Sequence, residues 1–146
     1  AAIMDHERNF YIATIFEIRK ISREGKELWT YVPGGDISNS PGLMGGVVYG
    51  TNTAGMMYAV DIKTGKEIWK TKVSASVTGD TSYVEGKDGI IVAGVQDAPS
   101  PIQPGGNPNV IGVNATDGKR LWGFTPDVPT WNIMAMFTDE GNFVFQ

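Results

Sequence analysis

The 146-residue chain has no cysteine and a single histidine, His6. The first absence excludes disulfides, thiolate catalysis and cysteine-based metal sites. The second excludes a histidine-rich metal site or a local histidine relay, and His6 reads as a solvated residue near the start. No window of about 18 apolar residues occurs, so no membrane-spanning helix is expected. Basic charge is also short: 12 Lys and Arg against 16 Asp and Glu give a net charge of −4. Scattered cations in an acidic chain argue against a nucleic-acid partner. Only Arg19, Lys20, Arg23 and Lys26 lie close together, interleaved with Glu17, Glu24 and Glu27, which reads as a solvated mixed-charge hairpin. No segment sustains an apolar i, i+3, i+4, i+7 face over three turns, which excludes a helical fold.

What is abundant is turn chemistry, with 19 Gly and 8 Pro. Between the turns lie short runs such as "GVVYGT", "MMYAVDI", "KEIWKTKV" and "IIVAGV", rich in Val, Ile, Tyr and Trp. Runs of this length and composition, bounded by Gly, Asn, Asp or Thr, predict β-strands. Landmarks recur along them. Trp29 and Trp69 are 40 residues apart, Trp69 and Trp122 are 53 apart, and Gly25, Gly65 and Gly118 each precede a Trp by four. A Gly before an apolar strand recurs at Gly46, Gly89 and Gly141. The longer third interval carries an insertion within 96–108, "QDAPSPIQPGGNP", which reads as an exposed loop. Without insertions the period is 40, a length typical of β-propeller blades. The predicted fold is therefore all-β. It is a single partial β-propeller domain over 1–146 made of four-stranded antiparallel blades, with units near 1–31, 32–72, 73–125 and an incomplete 126–146. Roughly three and a half blades are expected, as part of a larger propeller of about six to eight. The first unit is expected to open on a second strand, "NFYIATIF".

The stretch "AVDIKTGKEIWK" at 59–70 carries a family resemblance. It resembles the PQQ-like (pyrroloquinoline-quinone-type) propeller repeat and its tryptophan-docking motif, which runs Ala, any, Asp, two of any, Thr, Gly, three of any, Trp. Ala59, Asp61, Thr64, Gly65 and Trp69 match all the fixed positions without a gap. The first unit keeps Gly25 and Trp29. The third keeps Gly118 and Trp122, with Gly112, Asn114 and Asp117 at the other places. The motif's role is structural: an indole can lie flat on a glycine turn of the next blade, where no Cβ blocks it. Ala59 leaves room for a ring, and Asp61 can accept hydrogen bonds from turn amides.

Other candidate chemistry reduces to structure. Gly-Lys pairs at 25–26, 65–66, 86–87 and 118–119 are followed by Glu27, Glu67, Asp88 and Arg120, not Ser or Thr, and by no helix. They are hairpin turns, not phosphate loops. Asp36 and Asp80 are expected on innermost strands, in a structural role. Met56, Met57, Met134 and Met136 could suggest a soft-metal site, but Met134 and Met136 alternate with Ile133, Ala135 and Phe137 and are expected to pack within a blade. The sequon at 114–116 overlaps the motif, where Asn114 takes the place of Asp61 as a turn acceptor. Trp131 falls outside the Trp register, near a predicted innermost strand.

The resemblance implies two readings. The first is a non-catalytic scaffold or accessory subunit of a larger, membrane-associated assembly, without cofactor. Its partners would be other protein subunits, and its compartment extracytoplasmic, a periplasm or an organelle lumen. Loop 96–108 and the blade ends would be its contact surfaces, and open blade edges would allow self-association. The second is a fragment of a quinoprotein alcohol or sugar dehydrogenase that uses PQQ and Ca²⁺, with Trp131 as a remnant of the quinone floor. The adjacent cysteine pair of those enzymes is missing, and their calcium ligands have no matching positions.

Overall fold

A computed structural model describes residues 2–37, 39–77, 89–97, 106–130 and 135–145. Thirteen strands and no helix are found among them. The first four, β1 (Ala2–Met4), β2 (Phe10–Ala13), β3 (Ile18–Ile21) and β4 (Glu27–Tyr31), form one sheet in chain order. A second four-stranded sheet holds β5 (Gly42–Met44), β6 (Val47–Thr51), β7 (Met56–Asp61) and β8 (Glu67–Lys72). A third comprises β9 (Ile90–Val95), β10 (Asn109–Asn114) and β11 (Arg120–Phe124). Last comes the pair β12 (Ala135–Phe137) and β13 (Phe143–Phe145). Every pairing is antiparallel between chain neighbours, the meander of a propeller blade.

The first sheet corrects one expectation. The chain does not open on a second strand: Ala2–Met4 pairs with Phe10–Ala13 in the register Ala2↔Ile12 to Met4↔Phe10. Three residues with an Ile between Ala and Met are too short a run to stand out as a strand by pattern, and pairing alone defines them.

The inner strands of the second and third sheets are buried on both faces. Alternation along β7 shows how: Tyr58 and Val60 pack toward the first sheet with Tyr11, Ile18 and Val48. Met57 and Ala59 turn the other way, to Ile91, Ala93 and Ile111 of the third sheet. Side chains two apart share a face, so a central strand buried on both faces reads as a continuous apolar run, not an alternating one. Val92 and Val110 continue the series toward Trp122, Phe137 and Phe143.

All three outer hairpins carry a register shift at the same place. Ala59 pairs with Trp69 while the next residue, Val60, pairs with Glu67, so Ile68 is the extra residue of a β-bulge. The same happens at Lys20↔Trp29 and Ile21↔Glu27, and at Gly112↔Trp122 and Val113↔Arg120. Leu28, Ile68 and Leu121 are thus displaced outward, and each is exposed. A bulge re-aims the neighbouring side chain, here the tryptophan.

Several sequence expectations change in the structure. Asp36 is exposed in the segment that leads to β5, not on an innermost strand, and its carbonyl accepts from the Thr53 amide. Met57 is fully buried, but Met136 is exposed and does not pack inside a blade. Asp80, Lys87, Met134 and Trp131 lie outside the described residues, as do positions 98–105 of the predicted loop.

Candidate functional site: the blade junctions

Each junction is assembled from a tight hairpin turn on one sheet and a tryptophan on the sheet before it. In the turn after β7, Asp61 Oδ1 accepts from the Lys63 amide at 3.1 Å, the Thr64 amide at 2.7 Å and the Thr64 hydroxyl at 2.7 Å. The Thr64 hydroxyl and amide, outweighing a slight desolvation, hold the Asp61 carboxyl below its ordinary value. Gly65 closes the turn at φ +70°, a conformation that costs glycine little. In the third sheet Asn114 Oδ1 accepts from the Thr116 amide at 2.8 Å, and Gly118 sits at φ +73°.

The rings lie on these glycines. A Cβ built on Gly65 would be 2.7 Å from Trp29 Cδ2 and Cγ, and one on Gly118 would be 2.6 Å from Trp69 Cε3. Both indoles also donate to a backbone carbonyl at the equivalent turn position. Trp29 Nε1 reaches the Ile62 carbonyl at 3.1 Å, and Trp69 Nε1 reaches the Ala115 carbonyl at 2.9 Å. A tyrosine packs against each ring, Tyr11 on Trp29 at 5.9 Å and Tyr49 on Trp69 at 6.1 Å between centroids. Trp122 contacts both its own sheet and the next. It lies over its own cross-strand partner, Gly112, where a Cβ would come within 2.1 Å, and packs against Phe143. Gly25, at φ +82°, has no contact within 4 Å among the described residues. Gly-Lys pairs 25–26, 65–66 and 118–119 are all at such turns, each glycine with positive φ.

The first junction departs from the second at Lys20. Its hairpin is one residue shorter, so Lys20 stands where Ala59 and Gly112 stand in the other blades. The sequence places Lys20 in a solvated charge cluster, and the structure corrects this: the residue is only 5% exposed. Its ammonium donates to the Ile62 carbonyl at 3.0 Å, lies 3.6 Å from Asp5 Oδ2 and sits 5.4 Å from the Tyr11 ring centroid. The rest of the cluster is exposed apart from the half-buried Glu17, with Arg19 paired to Glu17 and Glu27 and Arg23 to Glu24. Sequence reasoning missed Lys20 because its neighbours are charged and its partner, Asp5, is distant in the chain. The one available signal was its register against Trp29.

Asp5 is saturated with donors: the Glu7 and Asn9 amides at 2.9 Å each, the Asn9 side chain at 3.1 Å and the Tyr11 hydroxyl at 2.8 Å. Burial pushes the Asp5 carboxyl up, but the Asn9 and Tyr11 hydrogen bonds and the Lys20 charge outweigh it and lower its pKa to about 2. Burial and then Asp5 itself push the Tyr11 phenol up. A cavity of about 350 Å³ opens beside this cluster, lined by Asp5, His6, Glu7, Lys20 and Lys63 among others. The exposed His6 thus lies at its edge. A folded-state pKa below the unfolded 3.8 means stability that is present above pH about 4 and lost as pH falls through about 2. We expect Asp5→Asn to cost about 1–2 kcal/mol at pH 7, discounted for water at the turn. Urea unfolding should show that gap closing between pH 4 and pH 2; a gap constant over that range would contradict the assignment.

Among the described residues no group of three or more His, Asp or Glu side chains is placed to hold a metal ion. Trp131, the candidate remnant of a quinone floor, lies outside the described residues. Among the described residues no helix is long and apolar enough to cross a membrane.

Antiparallel meanders stacked face to face, joined by a tryptophan on a glycine turn, define a β-propeller of PQQ-like repeats. The matching family model covers residues 16–137. The chain belongs to that family, described as outer membrane protein assembly factor BamB. Among relatives, the outer membrane protein assembly factor BamB of Burkholderia pseudomallei (strain K96243) is 31% identical over 99 residues, 66% of this chain and 22% of that protein. The protein of the same name from Nitrosomonas eutropha is 28% identical over 105 residues, 72% of this chain and 22% of the relative. The chain thus spans about a fifth of the length of the curated relatives it matches. Among solved structures, the quinohemoprotein alcohol dehydrogenase ADHIIG from Pseudomonas putida HK5 superposes with a TM-score of 0.69 at 24% identity, over 85% of this chain and 20% of that one. BamB from Moraxella catarrhalis gives 0.56 at 15% identity, over 86% and 38%. At these identities the superpositions show the shared fold.

Proposed function

We propose that the chain is part of a non-catalytic PQQ-like propeller that acts as a protein-interaction scaffold, an accessory subunit of an extracytoplasmic assembly that handles outer-membrane proteins. Family membership over residues 16–137 is the observation that carries this reading. Ala59, Asp61, Thr64, Gly65 and Trp69, with Gly25, Trp29, Gly118 and Trp122, serve in this reading as the docking parts that keep a rigid ring of blades. A rigid ring is a suitable scaffold because it presents many loops at fixed positions. We assign the repeat units to 1–31, 32–72, 73–125 and 126–146.

The test uses the intact protein that contains this chain. Added to vesicles carrying the outer-membrane assembly machinery of its own source, it should accelerate folding of a β-barrel substrate, read by protease resistance. An unchanged rate would overturn the reading. A dye-linked alcohol oxidation assay with added PQQ and Ca²⁺ should show no gain; a robust gain would replace the scaffold by a dehydrogenase.

A further inference from the structure

The β2–β3 turn of the first sheet breaks the turn chemistry used elsewhere in the chain. Its residues are Thr14, Ile15, Phe16 and Glu17, closed by the Thr14 amide donating to the Glu17 carbonyl at 2.9 Å. The tip positions of such a turn favour Gly, Pro, Asn, Asp or Ser. The corresponding turn of the second sheet, Asn52, Thr53, Ala54 and Gly55, carries small residues at its tip between Asn and Gly. Here instead two large apolar side chains stand in water, Ile15 60% exposed and Phe16 64%.

The tip is held in place. Thr14 Oγ1 accepts from the Phe16 amide at 3.3 Å and from the Glu17 amide at 3.2 Å. From the other side, the Ile37 amide donates to the Ile15 carbonyl at 2.7 Å, which ties the tip to the segment entering the second sheet. An ordered apolar projection loses little freedom on binding.

Charge at this end of the blades selects the kind of partner. Meander topology brings the β2–β3 turns and the sheet-to-sheet connections to the same end. Cations on strands ending here are occupied: Arg19 by Glu17 and Glu27, Lys70 by the Pro33 carbonyl, and Lys72 by the Ala54 and Ala75 carbonyls. Asp36, next to Ile37, is exposed. An apolar tip beside a carboxylate, with its nearby cations engaged, is poorly suited to an anionic lipid surface, which attracts Lys and Arg. It complements an apolar pocket with a basic rim on a protein. We propose that the Ile15–Phe16 tip is a preformed knob that inserts into such a pocket on a protein partner. This inference deepens the scaffold reading and rests on it.

The variant Ile15→Ser with Phe16→Asn restores ordinary turn formers and is expected to keep the parent's melting temperature. Leu28→Ser, on an outer strand, is the control for loss of an exposed aliphatic group. In pull-downs with the intact protein from its own envelope extract, the partners recovered by the parent are identified and their affinities measured. The knob variant should bind one of them at least 10-fold more weakly, and the control should bind it unchanged. Photo-crosslinking from position 16 should label that same partner. Equal binding by the knob variant, or crosslinks to phospholipid, would overturn the knob while leaving the scaffold. Recovery of no partner by the parent would overturn both.

Discussion

Trp29→Ala is expected to lower the free energy of unfolding by about 3–5 kcal/mol, the usual cost of emptying a large aromatic site. Trp29 is buried, and it joins two sheets by three means: its ring on Gly65, its indole N–H on the Ile62 carbonyl and its edge against Tyr11. An indole buries about 150–250 Å² in such a site, worth about 4–6 kcal/mol before entropy. Deletion also leaves the Ile62 carbonyl with Lys20 as its remaining side-chain donor. Phenylalanine should recover part of the loss by filling space without the hydrogen bond. Urea midpoints of the three proteins measure this; a loss below about 1 kcal/mol for alanine would show that the junction contributes little.

Gly65→Ala is expected to cost about 3 kcal/mol, a large effect for one methyl group, because two penalties act together. At φ +70° any Cβ strains the backbone, and here the Cβ would also lie 2.7 Å from the Trp29 ring. The comparison that separates the two is Gly25→Ala, where φ is +82° but none of the described residues lies within 4 Å. That substitution should cost only the backbone part, about 1 kcal/mol. If both glycines cost the same, ring contact does not matter. In a Trp29→Ala background the extra cost at Gly65 should shrink toward the value at Gly25, the coupling expected of residues in direct contact.

These expectations show how much of the molecule could be read from its residues. Gly65 and Trp69 are recognisable because the constraint on each is local: a positive-φ turn demands glycine, and a repeated large ring demands a repeated receptor. The same locality makes Asp61 and Asn114 readable as turn acceptors, since their partners lie two or three residues away. Lys20 was misread because its neutralising partner lies across the sheet. Leu28, Ile68 and Leu121 look like strand interior by pattern, yet a bulge turns all three to solvent. A one-residue register shift has no signature in composition, but it reverses which side chains are buried.

By itself the sequence determined the class of fold, because strand length, turn chemistry and a repeat of period 40 are properties of neighbouring residues. It also determined that cysteine chemistry has no place here. The tertiary structure decided what each repeat does with its tryptophan. Trp29 and Trp69 reach a glycine turn on the next sheet, and Trp122, which lies over Gly112, packs on Phe143 of the next sheet. It also decided that Lys20 is buried and that Ile15 and Phe16 are not. The reason is common to all of these: burial and contact depend on which strands are brought face to face, and those partners lie tens of residues away in the chain.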